Sequence, residues 1–275
     1  LLIIFTYCGI GKGEEGPEIG AQALYNKAME YMKEEEYRAA VAVLTTFENN
    51  FPGSALYKEA RLKKADALFN QRYRNVYIEA EAEYKAYMTL YPTADNIDYV
   101  QKQIALCHWN RKRHYKNDQS ETRKAIKEFE YFLQKYPDSE YVDEVKKYLE
   151  EACNHLARHE EYVGDFYMTI EEYLAAEKRF STAVKLIKDP IKKYSLIYKK
   201  MQTLVEQKKY DEFFEAYNRV LRERDEKNLS IPNMGEMERL KAEVQERRLE
   251  EEKVNKASEK VEKEQPEPEK KSDGL

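Results

Sequence analysis

Ala40, Ala80 and Ala125 each stand twelve residues before a proline (Pro52, Pro92, Pro137), and each of these prolines follows an aromatic residue, Phe51, Tyr91 or Tyr136. The spacing after each alanine is helical: Leu44 and Phe47, Tyr84 and Tyr87, Phe129 and Phe132 follow four and seven residues on. A small residue at the first point and bulky ones at the next two let one helix approach a neighbour closely and then interlock with it. The proline then forces the chain out of helical geometry. Three residues before the alanine sit Tyr37, Tyr77 and Thr122 in turn. The stripe continues as Tyr173, Ala176, Phe180 and Ala183, and more faintly as Tyr210, Phe213, Tyr217 and Val220, which predicts five copies of one unit.

Upstream of each stripe lies a second amphipathic segment, roughly residues 21–34, 54–70, 97–115, 141–168 and 193–207, so each unit reads as two antiparallel helices. Ser54 and Ser139, just past their prolines, are placed to cap the helix that follows. Helix, turn, helix and proline over 34 to 45 residues is the tetratricopeptide pattern. One such hairpin cannot bury its own apolar face, so the expected fold is all-α, a tetratricopeptide-like helical-hairpin solenoid of about five units over 21–222. The fourth unit departs from the rule. Its first helix is long, and Pro190 falls two residues late, so its packing angle is expected to differ. No aromatic residue occurs after Tyr217, and from Ser230 the chain turns to Glu, Lys and Arg. The expectation for 223–275 is a charged helical extension, solvated or dependent on a partner, and then a disordered tail.

Composition removes several function classes. With 36% charged residues and only 9 Gly and 8 Pro in 275, helix is favoured over sheet. The formal charge is −5 with both signs interleaved, which lacks the basic footprint of a nucleic-acid binder. The three cysteines form no CxxC pair; Cys107 and Cys153 lie inside helical patterns and read as small core residues. Cys8 follows Leu1-Leu2-Ile3-Ile4-Phe5, a run too short to span a bilayer, and precedes a Gly-rich stretch. Residues 1–20 therefore have two readings: the end of a secretory signal with Cys8 as lipid acceptor, followed by a linker, or a short apolar element with a buried thiol.

The search for chemistry yields little. His155 and His159 share a helix face with Glu160 and Glu161 near by, but zinc needs three or four ligands and no third His or Cys is suitably placed, so a solvated surface is expected. Carboxylate pairs such as Glu34-Glu35-Glu36 are too common to single out acid/base catalysis, and no phosphate loop or Ser/His/Asp arrangement occurs. The chain is therefore expected to be no enzyme and to need no cofactor or metal. What remains is a groove. Counted from the anchoring alanines, Gln22, Tyr25, Met29 and Lys33 of the first unit and Glu59, Leu62, Asp66 and Phe69 of the second either face an extended peptide or pack against the adjacent unit.

The order of units, Leu90 through Val100 with its Asn96-Ile97-Asp98-Tyr99 core, the insert Asp118-Gln119-Ser120-Glu121-Thr122, and Glu128-Phe129 through Ser139 together resemble the BamD family. Leu156 through Tyr167 and Ala175 through Phe180 extend the resemblance, which covers about 21–221. These are tetratricopeptide lipoproteins of the outer-membrane β-barrel assembly machinery. The resemblance implies lipid attachment at Cys8, anchorage on the periplasmic face of the outer membrane, and capture of unfolded outer-membrane proteins by the first two units. It also implies docking of a BamA-like barrel-forming partner through Arg179, which is expected to be solvated in the free protein or else paired with Glu172 or Asp165 of its own unit. The chain departs from the family at Tyr7, where a small residue normally precedes the acylated cysteine, and in its charged tail. A general tetratricopeptide scaffold or cochaperone, or an envelope protein of the Tol system, is the alternative.

Overall fold

The computed structural model describes residues 17–264, all of whose regular elements are helices: α1 (Pro17–Lys33), α2 (Tyr37–Asn50), α3 (Tyr57–Asn70), α4 (Val76–Leu90), α5 (Ile97–Asn110), α6 (Ser120–Lys135), α7 (Val142–Thr169), α8 (Tyr173–Leu186), α9 (Pro190–Glu206), α10 (Tyr210–Lys227) and α11 (Met234–Glu264). The five predicted hairpins are α1/α2, α3/α4, α5/α6, α7/α8 and α9/α10. Every predicted stripe is buried: Ala40, Leu44 and Phe47; Ala80, Tyr84 and Tyr87; Ala125, Phe129 and Phe132; Ala176, Phe180 and Ala183; Phe213, Tyr217 and Val220.

The aromatic-proline junction ends three helices in one way. Phe51, Tyr91 and Tyr136 leave helical geometry with φ near −130° (−130°, −131° and −126°). That is what the ring of a following proline imposes. Each still donates its N–H to the carbonyl one turn back, on Phe47, Tyr87 and Phe132. Each ring also packs on that same residue, at centroid distances of 5.9, 5.0 and 5.5 Å. The chain stop and the core aromatic therefore form one structure. Pro190 works differently from the other three: it opens α9 instead of closing α8, and Asp189 caps that helix by accepting from the N–H groups of Ile191 and Lys192 at 2.9 and 3.4 Å.

Within hairpins the turn passes through one left-handed residue, Glu35, Arg72, Glu171 or Lys208, with φ of 57° to 60°. Ser54 accepts from the Leu56 N–H and Ser139 from the Tyr141 N–H, both at 3.2 Å, so each closes the turn before its helix; the N-cap of α3 itself is Leu56, with no side-chain cap bond.

The described chain divides into two compact units. The first takes the residues up to His114 and Asp118–Ala152; the second takes Tyr115–Asn117 and everything from Cys153. The long α7 is shared between them.

The extension after residue 223 is helical and charged as expected, but it is packed instead of solvated. Ile231, Met237 and Val244 are buried in a cluster with Tyr194, Met201, Phe213 and Tyr217, and Leu240 packs against it. Met237, Leu240 and Val244 are spaced three and four residues apart, so they form one apolar stripe without any aromatic residue. Beyond them a charged zipper takes over: Arg248 pairs with Asp211 at 3.0 Å, Lys208 with Glu251 at 2.7 Å, and the Tyr210 hydroxyl donates to Glu251 at 3.2 Å. Helix α11 thus covers the last hairpin as a terminal cap, which a repeat array requires. The tail beyond 264 lies outside the described residues. Replacing Met237 by Ala should cost about 2–5 kcal/mol in denaturant unfolding, whereas Leu249→Ala, at a position 57% exposed, should stay within about 0.5 kcal/mol. Equal effects would mean that α11 is not docked.

Candidate partner-binding surfaces

In the first unit α3 lies between α2 and α4 and packs on both, and this decides the fate of the predicted groove. Leu62 and Asp66 are buried in the core that also holds Tyr84 and Tyr87, and Phe69 packs edge-on against Tyr77 at 5.2 Å. Tyr25 is buried too, donating its hydroxyl to Glu59 at 2.6 Å. Met29 is half-buried against the same cluster as Tyr25, and Lys33 is exposed. For Tyr25, Leu62 and Asp66 packing between neighbouring helices is therefore the role observed. A helix flanked on both sides has little face left for a ligand.

The buried carboxylate is satisfied by tyrosines. Asp66 accepts from the hydroxyls of Tyr84 at 2.7 Å and Tyr99 at 2.9 Å, and Gln103 donates to Tyr99 at 2.8 Å. Burial pushes the Asp66 carboxyl above its ordinary range against the opposing pull of both hydroxyls and Lys63. Tyr99 belongs to the segment that carried the family resemblance, and its neighbours also tie successive hairpins of the first unit together. Asn96 accepts from Tyr87 at 3.0 Å, and Asp98 accepts from Ser139 at 2.6 Å. The insert is equally structural: Gln119, buried, accepts from Thr122 at 2.9 Å and donates to the His114 carbonyl at 3.0 Å, while Asp118 accepts from the Ser120 N–H at 3.1 Å.

Beside it lies a charged cluster. The Arg111 guanidinium reaches Glu81 and Glu121, both at 2.6 Å, and the Tyr77 carbonyl at 3.2 Å, with a ring nitrogen of His108 2.9 Å from Glu121. Burial alone would raise the Glu121 carboxyl, but hydrogen bonds from His108, Lys124 and Arg111 outweigh it and hold the group at about 2.

In the second unit the C-terminal half of α7 meets α8 at a glycine. A methyl group on Gly164 would sit 2.6 Å from the Phe180 ring, so only glycine permits this approach. Arg179, one residue before Phe180, is not freely solvated as expected: it donates to Glu160 at 3.0 Å, and Glu160 is 2% exposed. The partner is neither of the acids expected, Glu172 or Asp165; Asp165 instead binds Lys199 at 2.8 Å together with Glu161 at 2.7 Å. His155 and His159 are half-buried instead of solvated, and a ring nitrogen of His159 lies 2.6 Å from the Tyr115 carbonyl. Among the described residues no group of His, Cys, Asp and Glu could hold a metal. Cys107 and Cys153 are buried, while Cys8 falls outside the described residues.

Sequence reasoning missed an apolar surface on this second unit. Tyr162 and Phe166, one turn apart on α7, Ile170 just past its end, and Leu174 in the first turn of α8 are 41%, 54%, 49% and 52% exposed. Tyr162 is joined by Tyr115 at 6.0 Å and overlaid by the Lys116 ammonium at 5.2 Å. The four-residue spacing was visible, but nothing in it distinguishes an outward stripe from a core one.

These features define a scaffold of repeated helical hairpins. The model of the YfiO outer membrane lipoprotein family matches residues 17–213, and the chain belongs to that family. It is similar to the outer membrane protein assembly factor BamD of Buchnera aphidicola subsp. Acyrthosiphon pisum, 25% identical over 186 residues covering 64% of this chain and 75% of that protein. The BamD proteins of Vibrio cholerae (22% identical; 63% of this chain, 75% of that protein) and Pasteurella multocida (26%; 63% and 69%) are similar too. Members of this family are accessory factors and not enzymes, and the chain is accordingly non-catalytic.

Two substitutions probe the geometry. Gly164→Ala should lower stability by about 1–3 kcal/mol through overpacking, against the gain that alanine normally brings to a helix interior. For Glu121, the folded carboxyl sits below its unfolded value of 4.5, so its contribution is complete above that pH and is lost as pH falls toward about 2. Glu121→Gln should remove on the order of 2–3 kcal/mol of stability at neutral pH and flatten this acid slope.

Proposed function

We propose that the chain is an outer membrane protein assembly factor, tethered by a lipid on Cys8 to the periplasmic face of the outer membrane. It holds segments of unfolded outer-membrane proteins and docks on a barrel-forming partner. Family membership supports the general role. The tether at Cys8 rests on the family's description as an outer membrane lipoprotein; no described helix is long and apolar enough to cross a membrane.

The observation that carries the docking step is the exposure of four large apolar residues, Tyr162, Phe166, Ile170 and Leu174, on the hairpin that holds Arg179. Aromatic and aliphatic anchors beside an arginine are the composition of a binding hot spot. Arg179 keeps its side chain 39% exposed although one N–H is committed to Glu160, so donors remain for a partner carboxylate. Client segments fall to the first unit, where Lys33, Met29 and Phe69 stay open in whole or in part at the edges of the buried seam.

Co-purification from solubilised envelope tests this reading. Phe166→Ser with Leu174→Ser should reduce recovery of the barrel-forming partner at least tenfold at equal expression, since two hot-spot anchors contribute about 1–2 kcal/mol each, while helicity and Tm stay unchanged. Equal recovery would sink the docking site. Cys8→Ser, made behind a functional signal sequence, should release the protein from the membrane fraction, because stable anchoring requires acyl chains.

A further inference from the structure

The fourth hairpin lacks two rings that its predecessors have. Seven and eleven residues after the anchoring alanine stand Phe47 and Phe51, Tyr87 and Tyr91, and Phe132 and Tyr136 in the first three hairpins, but Ala183 and Ile187 after Ala176. Protein cores are packed to the density of organic crystals, so the loss of two rings must either be closed by collapse or remain as a void. Here it remains. A cavity of about 380 Å³ lies between the C-terminal half of α7, the segment after α8 and the start of α9. Its floor is apolar, made of Ala157, Ile187 and Leu196, all buried in the cluster that holds Phe180.

The rim is polar, and its positive charge is unmatched. Asn154, Arg158 and Glu161 share the face of α7 that carries Ala157, and Lys192 comes from the first turn of α9. Glu161 is matched by Lys199 at 2.7 Å, whereas Arg158 and Lys192 have no carboxylate partner among the described residues. The Arg158 guanidinium lies over the Tyr115 ring at 4.0 Å, which holds its plane and leaves the N–H groups along its edge free to donate. Asn154 commits its carbonyl oxygen to the Lys188 N–H at 3.4 Å and keeps its amide N–H groups. Between Lys185 and Val205 the only acid among six lysines is Asp189, whose carboxylate already caps α9.

We propose that this cavity binds an acidic peptide segment, taking up one ring-sized apolar side chain while Arg158 and Lys192 hold the Asp or Glu residues on either side of it. The floor offers the apolar contact that the chain's own ring makes in the other hairpins, and a few donors at the rim orient the ligand. Helices α7 and α9 are the first helices of adjacent hairpins, the pair that a repeat array presents to an extended ligand. Two cations on separate helices suit two carboxylates flanking one side chain better than the single carboxylate of a chain end. The site uses none of Tyr162, Phe166, Ile170 and Leu174, so it does not rest on the docking assigned to them.

The whole chain is titrated into a labelled, C-terminally amidated peptide that carries Phe between Asp and Glu, and binding is followed by fluorescence anisotropy. Saturable binding is expected, weakened about 10-fold or more when the peptide's Phe becomes Ala, and to a similar degree when its acids become Asn and Gln. Ile187→Phe returns to the chain the ring found in the other hairpins and should abolish binding with Tm unchanged or raised. Should that variant fail to fold, the surface pair decides. Arg158→Gln with Lys192→Gln should weaken binding about 100-fold, roughly tenfold for each charge-assisted contact, at unchanged Tm. Lys146→Gln with Lys147→Gln, which removes the same charge from exposed positions on α7, should leave binding intact. The proposal is overturned if the acidic peptide does not bind, if its neutral form binds equally, if the lysine pair matters as much as Arg158 and Lys192, or if a folded Ile187→Phe protein still binds. It also fails if only a peptide with a free C-terminal carboxylate binds, or if sedimentation shows a dimer of this chain that Ile187→Phe dissociates.

Discussion

The aromatic stripe on the second helix of each hairpin is the interaction from which the rest of the fold follows. Phe47, Tyr87 and Phe132 are each wholly buried, and each is held from one side by the aromatic residue that precedes a proline. A two-helix hairpin has too little interior to bury such a ring alone, so each must borrow a surface from the next. Fully burying a large apolar side chain stabilises by about 1.5–3 kcal/mol, and the gain is available only when the neighbour is present. The proline limits helix length, which keeps successive rings in step. Where it is missing, after α8, the core substitutes Ala183 for the usual aromatic, and Ile187 leaves the helix in extended geometry.

Tyrosine in place of phenylalanine at these core positions introduces hydroxyls that must be satisfied, and their partners fix register between hairpins of the first unit. Tyr84 reaches Asp66 within its own hairpin, while Tyr99 reaches the same carboxylate from the next one. An apolar core tolerates sliding by a fraction of a turn. A carboxylate shared by two hydroxyls does not, because either bond lost leaves a buried polar group at a cost of about 1–3 kcal/mol.

What could be read from the sequence follows the same division. Ala40 through Pro52 and its copies were legible because period, small residue and proline act locally, and all five stripes are buried where expected. The docking of helix α11 is not legible from its lack of aromatics, because Met237, Leu240 and Val244 at three- and four-residue spacing suffice to pack it. The groove was harder. Whether Leu62 or Asp66 faces a ligand depends on how closely α2 and α4 flank α3, and no residue spacing within α3 encodes that. Arg179 shows the same limit: its acid was sought in Glu172 and Asp165, but it lies in Glu160, on the buried face of the neighbouring helix.

That pairing changes what the arginine can offer a partner. A solvated arginine loses rotamer freedom on binding, at about 0.5–1.5 kcal/mol for a rotamer-rich side chain. Arg179 is already held by a carboxylate that is itself immobile in the core, and Phe180 beside it is locked against Gly164. Much of the ordering has therefore been completed during folding, leaving the outward N–H groups of the guanidinium in a fixed plane. Reversal of its charge would set a second carboxylate against Glu160, so the position serves stability as well as the docking proposed for it. A neutral glutamine at Arg179 separates the two more cleanly, because it keeps a donor for Glu160 while removing the charge and the fork that a partner would read.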